Sequence, residues 1–534
     1  MQAYPLTLVN HLKRARAFFP HKQIVSKLKA GVFRYTYRDF TGRVAQLADA
    51  LRALGIAEGD RVGTLAWNSY RHLELYYAVP CMGAVLHTAN LRLPRDQIAY
   101  IINHAEDKIL FLDEDVLPLV EGLSLTSVRN FVVMLSDPNV AMPKSSLVPA
   151  HNYEDLLRNS SADFEFPELD EHMPAGICYT SGTTGEPKGV VYSHRGLSLH
   201  SLALCLPDTF ALSERDTVMP IVSMFHVNAW GMPYAATMIG AKQVYAGPHP
   251  DCKTFAELIQ KERVTLTSAV PSVWIAMLAE LERAHYDISS LRTIASGGSA
   301  VPPSLIAAYE RKFGVPIVHA WGMTEISPLA TVSRLTTAME NWSEENKLRQ
   351  RAKQGLLIPG LEMSVVDGQG REVPWDGRQS GELLIRGPWV ADGYYKGQQF
   401  TDGWLHTGDV VTVDEHGFMQ IVDRTKDLIK SGGEWISSVT LENTIMAHPK
   451  VLEAAVIAVA HERWQERPLA CVVPKPEFRD MITKEEILEM LRSQFPEWWL
   501  PDEIVFIEEV PKTSVGKFDK KVLRERFKDI RLDE

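Results

Sequence analysis

Apolar positions early in the chain recur with two alternating periods. Over 37–55 they fall at Phe40, Val44, Leu47, Leu51 and Leu54 and stop at Gly55, the spacing and the stop of an amphipathic helix. An apolar run at 61–66 predicts a short buried strand, 73–82 a second helix and 84–87 a second strand. A longer series follows residue 254: helix (255–263), strand (264–270), helix (272–284), strand (291–297), helix (304–313) and strand (316–322). Strands that alternate with helices in this way predict mostly parallel sheets covered by helices.

The pattern then changes. Residues 333–354 are charged and poor in large apolar side chains, which predicts a solvated helix or an insertion. Beyond them 361–367, 381–387 and 410–424 read as β, the last as a hairpin turning at 414–417. The stretch 423–436, DRTKDLIKSGGEWI, joins this part to a shorter, more charged end. That end reads strand (453–460), strand (469–475), helix and strand (503–509), the helix start fixed by a capping box of Thr483 and Glu486. The predicted fold class is α/β: a large domain, 1–425, of βα-layered sheets with a β-rich subdomain, and a small mobile α+β domain, 426–534.

At 534 residues the chain exceeds one core, and at about 150 residues per unit it divides into three or four. A formal charge of −11, from 56 basic and 67 acidic residues, argues against a nucleic-acid-binding surface, so any anion must be bound by a local cluster. Five scattered cysteines without a CxxC pair suggest free thiols rather than zinc or disulfides. With no signal-like leader and no apolar stretch approaching the ~18 residues of a spanning helix, a cytoplasmic protein is expected. Peripheral membrane contact stays open.

Chemistry concentrates in a few short stretches. The segment 179–189, YTSGTTGEPKG, lies between two strand-like runs and offers hydroxyls (Thr180, Ser181, Thr183, Thr184), glycines (Gly182, Gly185, Gly189) and Lys188 within ten positions. Those are the donors, close backbone approach and positive charge that a polyphosphate needs. It is not a Walker loop, since Pro187 stands where that pattern has its second glycine. On composition alone a flexible surface loop fits as well. In 220–234, PIVSMFHVNAWGMPY, His226 and Asn228 are the only strongly polar side chains, and Trp230 stands between Ala229 and Gly231. A histidine in such company is either a hydrogen-bonded core residue or a functional one. SGGSA at 296–300 ends a strand in paired glycines that let backbone pack against a flat ring. In HAWGMTE, 319–325, Trp321 offers an aromatic face, Gly322 space, Thr324 a hydroxyl and Glu325 a hard oxygen ligand for magnesium. Asp409 in WLHTGD suits a pair of sugar hydroxyls or a plain helix cap. Lys517, after Gly516 in a basic tail, would ordinarily be solvated.

Taken in order, YTSGTTGEPKG, FHVNAW, HAWGMTE, WLHTGD, DRTKD with SGGEW, and PKTSVGKFDKK resemble the motifs of the adenylate-forming superfamily, in its acyl-CoA synthetase branch. The match is nearest to medium- and long-chain fatty acyl-CoA ligases and methylthiopropionate-CoA ligases; this chain has Trp321 where many members have tyrosine. The resemblance implies an acid-thiol ligase using ATP, Mg²⁺ and coenzyme A on a small-molecule carboxylic acid. An aryl acid and a homodimer are left open. It places ATP on Thr180, Ser181, Gly182, Thr183, Thr184 and Lys188, on Gly298 and Ser299, on Ala320, Trp321, Gly322, Met323 and Thr324, and on Asp409 with Arg424 at the ribose. Thr184 and Glu325 would hold the metal. His226, Val227, Trp230, Gly231, Gly298 and Gly322 would line the acyl pocket, with Trp230 as its gate. Lys430, Ser431, Gly432 and Trp435 would serve the thioester step, Lys426 would be the pivot, and Lys517 would meet the carboxylate and α-phosphate. The named catalytic set is Lys517, His226, Thr184 and Glu325. Two rivals remain: a P-loop-type ATPase or kinase, which would release ADP, and a silent nucleotide or acyl binder.

Overall fold

The computed structural model describes residues 2–137, 140–180, 186–424, 427–431, 434–461, 463–479, 481–513, 516–528 and 530. Ser181, Gly182, Thr183, Thr184, Lys426 and Gly432 lie outside them.

The predicted helical face over 37–55 forms the helix Tyr37–Ala53, started by a capping box of Thr36 and Asp39. Phe40, Val44, Leu47 and Leu51 are wholly buried along it, as the spacing requires. The helix expected over 73–82 begins earlier, at Tyr70, because the Ser69 hydroxyl accepts from the His72 N–H and caps it there. The solvated helix expected within 333–354 is Glu344–Ala352. The basic tail holds a helix that the reading above lacked, Lys520–Arg526, capped by Asp519 and held by buried Leu523.

Among the described residues the strands form four sheets. One has nine strands, ordered Leu356–Leu357, Leu329–Val332, Ile317–Gly322, Thr293–Gly297, Leu266–Ala269, Thr217–Pro220, Lys242–Tyr245, Gln23–Leu28 and Gly31–Thr36. From Ile317–Gly322 to Gln23–Leu28 every neighbour is parallel. The second has seven strands, parallel from Ala150–Asn152 through Pro174–Tyr179 and closed by antiparallel Gly189–Ser193. The phosphate-loop candidate is therefore the loop of an edge hairpin. The third is four antiparallel strands, Glu362–Val366, Gly381–Arg386, Leu405–Val413 and Met419–Arg424. The fourth comprises Glu434–Ile436, Ile429–Ser431, Gln465–Pro474, Val451–His461 and Glu503–Phe506. It has its own core around Ile436, Leu441, Val456, Val472 and Ile487.

Parallel strands buried on both faces leave their carboxyl ends as the natural ligand side. Pro220, Gly297 and Gly322 end three strands of the nine-stranded sheet, and Tyr179 ends a strand of its neighbour. Each opens into one of the motifs singled out above.

Candidate active site

At the end of Ile317–Gly322 the backbone turns back on itself, and Met323 N–H donates to the Pro328 carbonyl at 3.0 Å. Gly322 is required there by space: a Cβ would lie 1.9 Å from that same carbonyl oxygen. Trp321, one residue earlier, is buried and aims its indole edge across the cleft, donating from Nε1 to Oδ2 of Asp409 at 3.0 Å. The Asp409 Oδ1 meets Arg424 Nε at 3.0 Å. That contact follows from strand pairing, since Asp409 and Arg424 are direct cross-strand partners in the four-stranded sheet.

Glu325 is buried, and its Oε1 accepts from the Tyr394 hydroxyl at 2.8 Å. The Tyr394 ring lies 4.7 Å from the ammonium of Lys188. One tyrosine thus touches both Glu325 and Lys188. Its segment is tied to both motifs by backbone as well: Ala391 N–H donates to the Glu325 carbonyl at 2.8 Å and Tyr395 N–H to that of Gly189 at 2.8 Å. Thr180 N–H donates to the Lys188 carbonyl at 2.9 Å and closes the base of the loop.

His226 leads into a turn with positive φ at every residue, 44° at Val227, 53° at Asn228, 49° at Ala229, 57° at Trp230 and 73° at Gly231. For residues with a Cβ this left-handed conformation costs roughly 1–2 kcal/mol each. The turn is held by Gly231 N–H on the Asn228 carbonyl at 3.0 Å and by the buried His200 ring packed behind Gly231, where a Cβ would come within 2.6 Å. His200 is neutral, burial pulling it down to about 3, so Nε2 can accept from the Leu329 N–H at 3.2 Å. Burial, helped by nearby Lys517, also pulls His226 down to about 3.

Lys517 stands in a tight turn in which Thr513 N–H donates to the Lys517 carbonyl at 2.7 Å and Gly516 N–H to that of Thr513 at 2.9 Å. It is not solvated. Burial lowers it from the ordinary lysine range to about 8; Arg424 adds to the fall, and Asp409 and Glu325 oppose it. Among the described residues no carboxylate lies within ion-pairing distance.

Three cavities meet at these side chains. One, of about 370 Å³, is bordered by Gly298, Ser299, Ala320, Trp321, Asp409 and Lys517. A small one, of about 50 Å³, is bordered by His226, Val227, Trp230, Met323, Thr324 and Lys517 among others. The third, of about 330 Å³, runs from Trp67, Arg92 and His249 to His226 and Gly516. Lys517 borders the first two and His226 the last two.

Not every expected residue borders these cavities: Thr180, Lys188 and Glu325 line none of the three. Gly231 is set back from the small cavity against His200. Lys430 stacks on half-exposed Trp435 at 4.7 Å, and the Ser431 hydroxyl accepts from Arg467 at 2.9 Å, but none of the three borders these cavities. Conversely, Tyr394, Phe210, Trp67, Arg92 and His249 carried no signal in the sequence. In the large cavity the reading also missed Lys520, which pairs with Glu442 at 2.7 Å. The spacing of the PKTSVGKFDKK motif was the one clue to it.

Adjoining cavities that share Lys517 and His226 and are bordered by Trp321 and Asp409 form the kind of concave, mixed polar and apolar cleft that takes small molecules. Residues 12–395 match the AMP-binding enzyme family and residues 440–517 its C-terminal domain; the chain belongs to this family, in the acyl-CoA ligase branch. It is 50% identical, over 99% of its length and 98% of the relative's, to a long-chain-fatty-acid–CoA ligase of Thermus thermophilus. It is 43% identical, over 98% and 96%, to a medium-chain-fatty-acid–CoA ligase of Ectopseudomonas oleovorans. The crystal structure of an anthranilate CoA ligase with anthranoyl-AMP superposes with a TM-score of 0.86 at 25% identity, covering 99% of each chain. Among the described residues no helix is long and apolar enough to cross a membrane.

Proposed function

We propose that this protein activates a fatty acid, of medium or long chain, in two steps: Mg·ATP and the acid give acyl-AMP and pyrophosphate, and coenzyme A then gives the acyl-CoA thioester and AMP. The observation that carries the reading is Lys517, a partly buried ammonium that, among the described residues, has no carboxylate within ion-pairing distance and borders both the small cavity and the one beside Asp409. Such a charge is costly unless an anion completes it.

In the first step a carboxylate oxygen bonds to the α-phosphorus as the bond from that phosphorus to the bridging oxygen breaks. Lys517 is assigned the carboxylate and α-phosphate, where its fixed charge offsets what develops. Asp409, oriented by Trp321 and Arg424, accepts the ribose hydroxyls, and Gly298 and Ser299 give a flat wall for the adenine. A single buried carboxylate already oriented by a hydroxyl suits a cation that takes most of its ligands from phosphate and water. No group of three or more metal-ligating side chains among the described residues competes with it. Magnesium on Glu325 would supply charge neutralisation at the pyrophosphate.

In the second step the thiol sulfur bonds to the carbonyl carbon, the carbon–oxygen bond to AMP breaks, and the thiol proton leaves to solvent. The cavity from Arg92 to His226 gives the thiol a path, and neutral His226 presents an uncharged ring to the acyl carbonyl. The division at 425/426, with Lys426 as pivot, is part of this proposal; rotation of 426–534 would bring Lys430, Ser431 and Trp435 to the thiol in place of Lys517. Trp230, on its strained turn, is assigned the gate of the acyl cavity. A cytoplasmic location fits the substrates.

A second reading, a 3-methylthiopropionate–CoA ligase, is favoured by the small acyl cavity. Pyrophosphate release, measured with CoA over short, medium, long and aryl acids, tests both. AMP must accompany pyrophosphate; ADP would refute the proposal.

A further inference from the structure

The turn that carries Lys517 is tied to its own domain. Lys517 N–H donates to the Thr513 hydroxyl at 3.2 Å, Asp519 N–H to the Pro511 carbonyl at 2.7 Å, and Lys512 pairs with Glu453 at 2.7 Å. Against the large domain the turn has van der Waals neighbours: a Cβ on Gly516 would lie 3.4 Å from Val270 Cγ2 and 3.8 Å from Ser272 Oγ. Apolar contact of this kind has no preferred direction, so it does not aim a long side chain.

A directional fastening begins three residues on. The helix Lys520–Arg526 places Lys520 and Arg524 one turn apart on one face. Arg524 pairs with Asp427. Lys520 Nζ meets Glu442 Oε1 at 2.7 Å and donates to the Ser438 hydroxyl at 2.6 Å. That hydroxyl donates in turn to Oδ2 of Asp423 at 2.6 Å, and the Ser438 N–H reaches the same oxygen at 2.7 Å. Ser437 donates its hydroxyl to the Val422 carbonyl. Asp423 and Ser438 are buried, and burial works against the charge of Lys520. Glu442, Asp423 and Asp427 more than offset it, so the lysine is raised above its ordinary range.

Val422 and Asp423 belong to the strand Met419–Arg424 of the large domain, whereas Ser437, Ser438 and Lys520 lie beyond 425/426. Among the described residues, the hydrogen bonds that cross this boundary are those from Ser437 and Ser438, together with the N–H groups of Asp427 and Leu428 on the Arg424 carbonyl. Arg424, next to Asp423, holds Asp409. One strand end therefore carries both the partner of Asp409 and the point to which the C-terminal helix is fastened.

We propose that Lys520 and Asp423 are positioning residues for Lys517. Through the Ser438 hydroxyl they fasten the helix that follows the Lys517 turn to the strand that holds Asp409, and so set where the Lys517 ammonium stands relative to the nucleotide. The proposal rests on the assignment of Lys517 to adenylation and deepens it. The second half-reaction, in which Lys517 is given no part, does not need the fastening.

The test measures pyrophosphate release with acid and ATP, thioester formation from supplied acyl-AMP, and Tm. The variants are Lys520→Met, Lys520→Arg, Asp423→Asn and Ser438→Ala, each made also on a Lys517→Ala background. Lys520→Met keeps the stem and loses the charge, and is expected to slow pyrophosphate release by about ten- to a hundredfold, since small displacements of a positioned group cost that much. Asp423→Asn should follow it, and Lys520→Arg should recover most of the rate. Ser438→Ala keeps the N–H on Asp423 and should lose about fivefold, the contribution of one hydrogen bond. Thioester formation should stay at the wild-type rate in all four. None should slow the Lys517→Ala enzyme further, because residues that act through one group are not additive.

A merely structural role would move Tm and both half-reactions together. Equal loss in both, further slowing of the Lys517→Ala enzyme, or full pyrophosphate release in Lys520→Met overturns the proposal. If Lys520→Met does not fold, Asp423→Asn and Ser438→Ala decide it by the same comparison. Full release in Lys517→Ala would instead refute the assignment of that lysine.

Discussion

Trp321 donates its indole N–H to Asp409 at 3.0 Å, across 88 positions of sequence, while Arg424 takes the other carboxylate oxygen at 3.0 Å. Both oxygens are aimed before any ligand arrives. A hydrogen bond to a charged group contributes about 1.5–3 kcal/mol, so Trp321→Phe, which keeps a smaller aromatic face and loses the donor, is expected to raise KM for ATP about tenfold or more. Because the ribose is bound equally in ground and transition states, kcat should hold within about threefold. Asp409→Asn should be worse, and its deficit should vanish against 2′,3′-dideoxy-ATP. Equal deficits with both nucleotides would remove the ribose assignment.

Lys517 carries the pH dependence. With its pKa lowered to about 8 it is charged below that pH and neutral above it. In the free enzyme kcat/KM for acid-dependent pyrophosphate release should be level up to pH 8 and fall toward tenfold per unit beyond it. His226, at about 3, is neutral throughout and should add no inflection between pH 5 and 7. Lys517→Ala is expected to slow adenylation by about 10²–10³ and to flatten that limb, with thioester formation from supplied acyl-AMP largely kept. Equal loss in both half-reactions would contradict the role.

How far the sequence carried this site depended on the range of the signal. Local features were legible: the Phe40–Leu51 face is read from one helical period, and Lys188 and Glu325 stand in short stretches that resemble motifs of the family. Pairings that depend on tertiary packing were not. Asp409 and Trp321 were each recognised, but for separate tasks, and only the juxtaposition of two sheets joins them. Phe210 and Tyr394 lie in irregular segments, where a lone aromatic has neither periodicity nor a motif to mark it. The left-handed turn at 227–230 was invisible for a stronger reason. Valine and tryptophan are poor choices for positive φ, so local preference points away from what packing enforces.

Tyr394 separates two effects with one ring. Tyr394→Phe keeps the face under Lys188 and removes the hydroxyl from Glu325. Losing a group that orients a metal ligand typically costs ten- to a hundredfold in metal affinity, so half-saturating Mg²⁺ should rise by about that much. Calorimetric binding of β,γ-methylene-ATP at saturating Mg²⁺ should match the wild type. Tyr394→Leu should weaken analogue binding at every Mg²⁺ concentration. A Phe variant with unchanged Mg²⁺ dependence would sever the link to Glu325.

Gly298 and Gly322 looked alike in the sequence, each leaving room beside a ring, yet the structure gives them different constraints. At Gly322 a methyl would lie 1.9 Å from the Pro328 carbonyl oxygen, and backbone cannot yield, so Gly322→Ala should lose several kcal/mol of stability. At Gly298, where φ is +85°, a methyl would meet Val270 Cγ1 at 3.2 Å and Lys517 Cε at 3.4 Å, side-chain atoms that can give way. Gly298→Ala should therefore fold, at a cost of about 1–2 kcal/mol for the left-handed residue, and displace the lysine. The expected pattern is a modest drop in Tm with pyrophosphate exchange cut by about tenfold or more for Gly298→Ala, because small misplacements of a positioning group cost heavily. Gly322→Ala should show a collapse in Tm. A Gly322→Ala protein with wild-type Tm, or a Gly298→Ala protein with full exchange, would mean that the lysine reaches its substrate by another route than along this glycine.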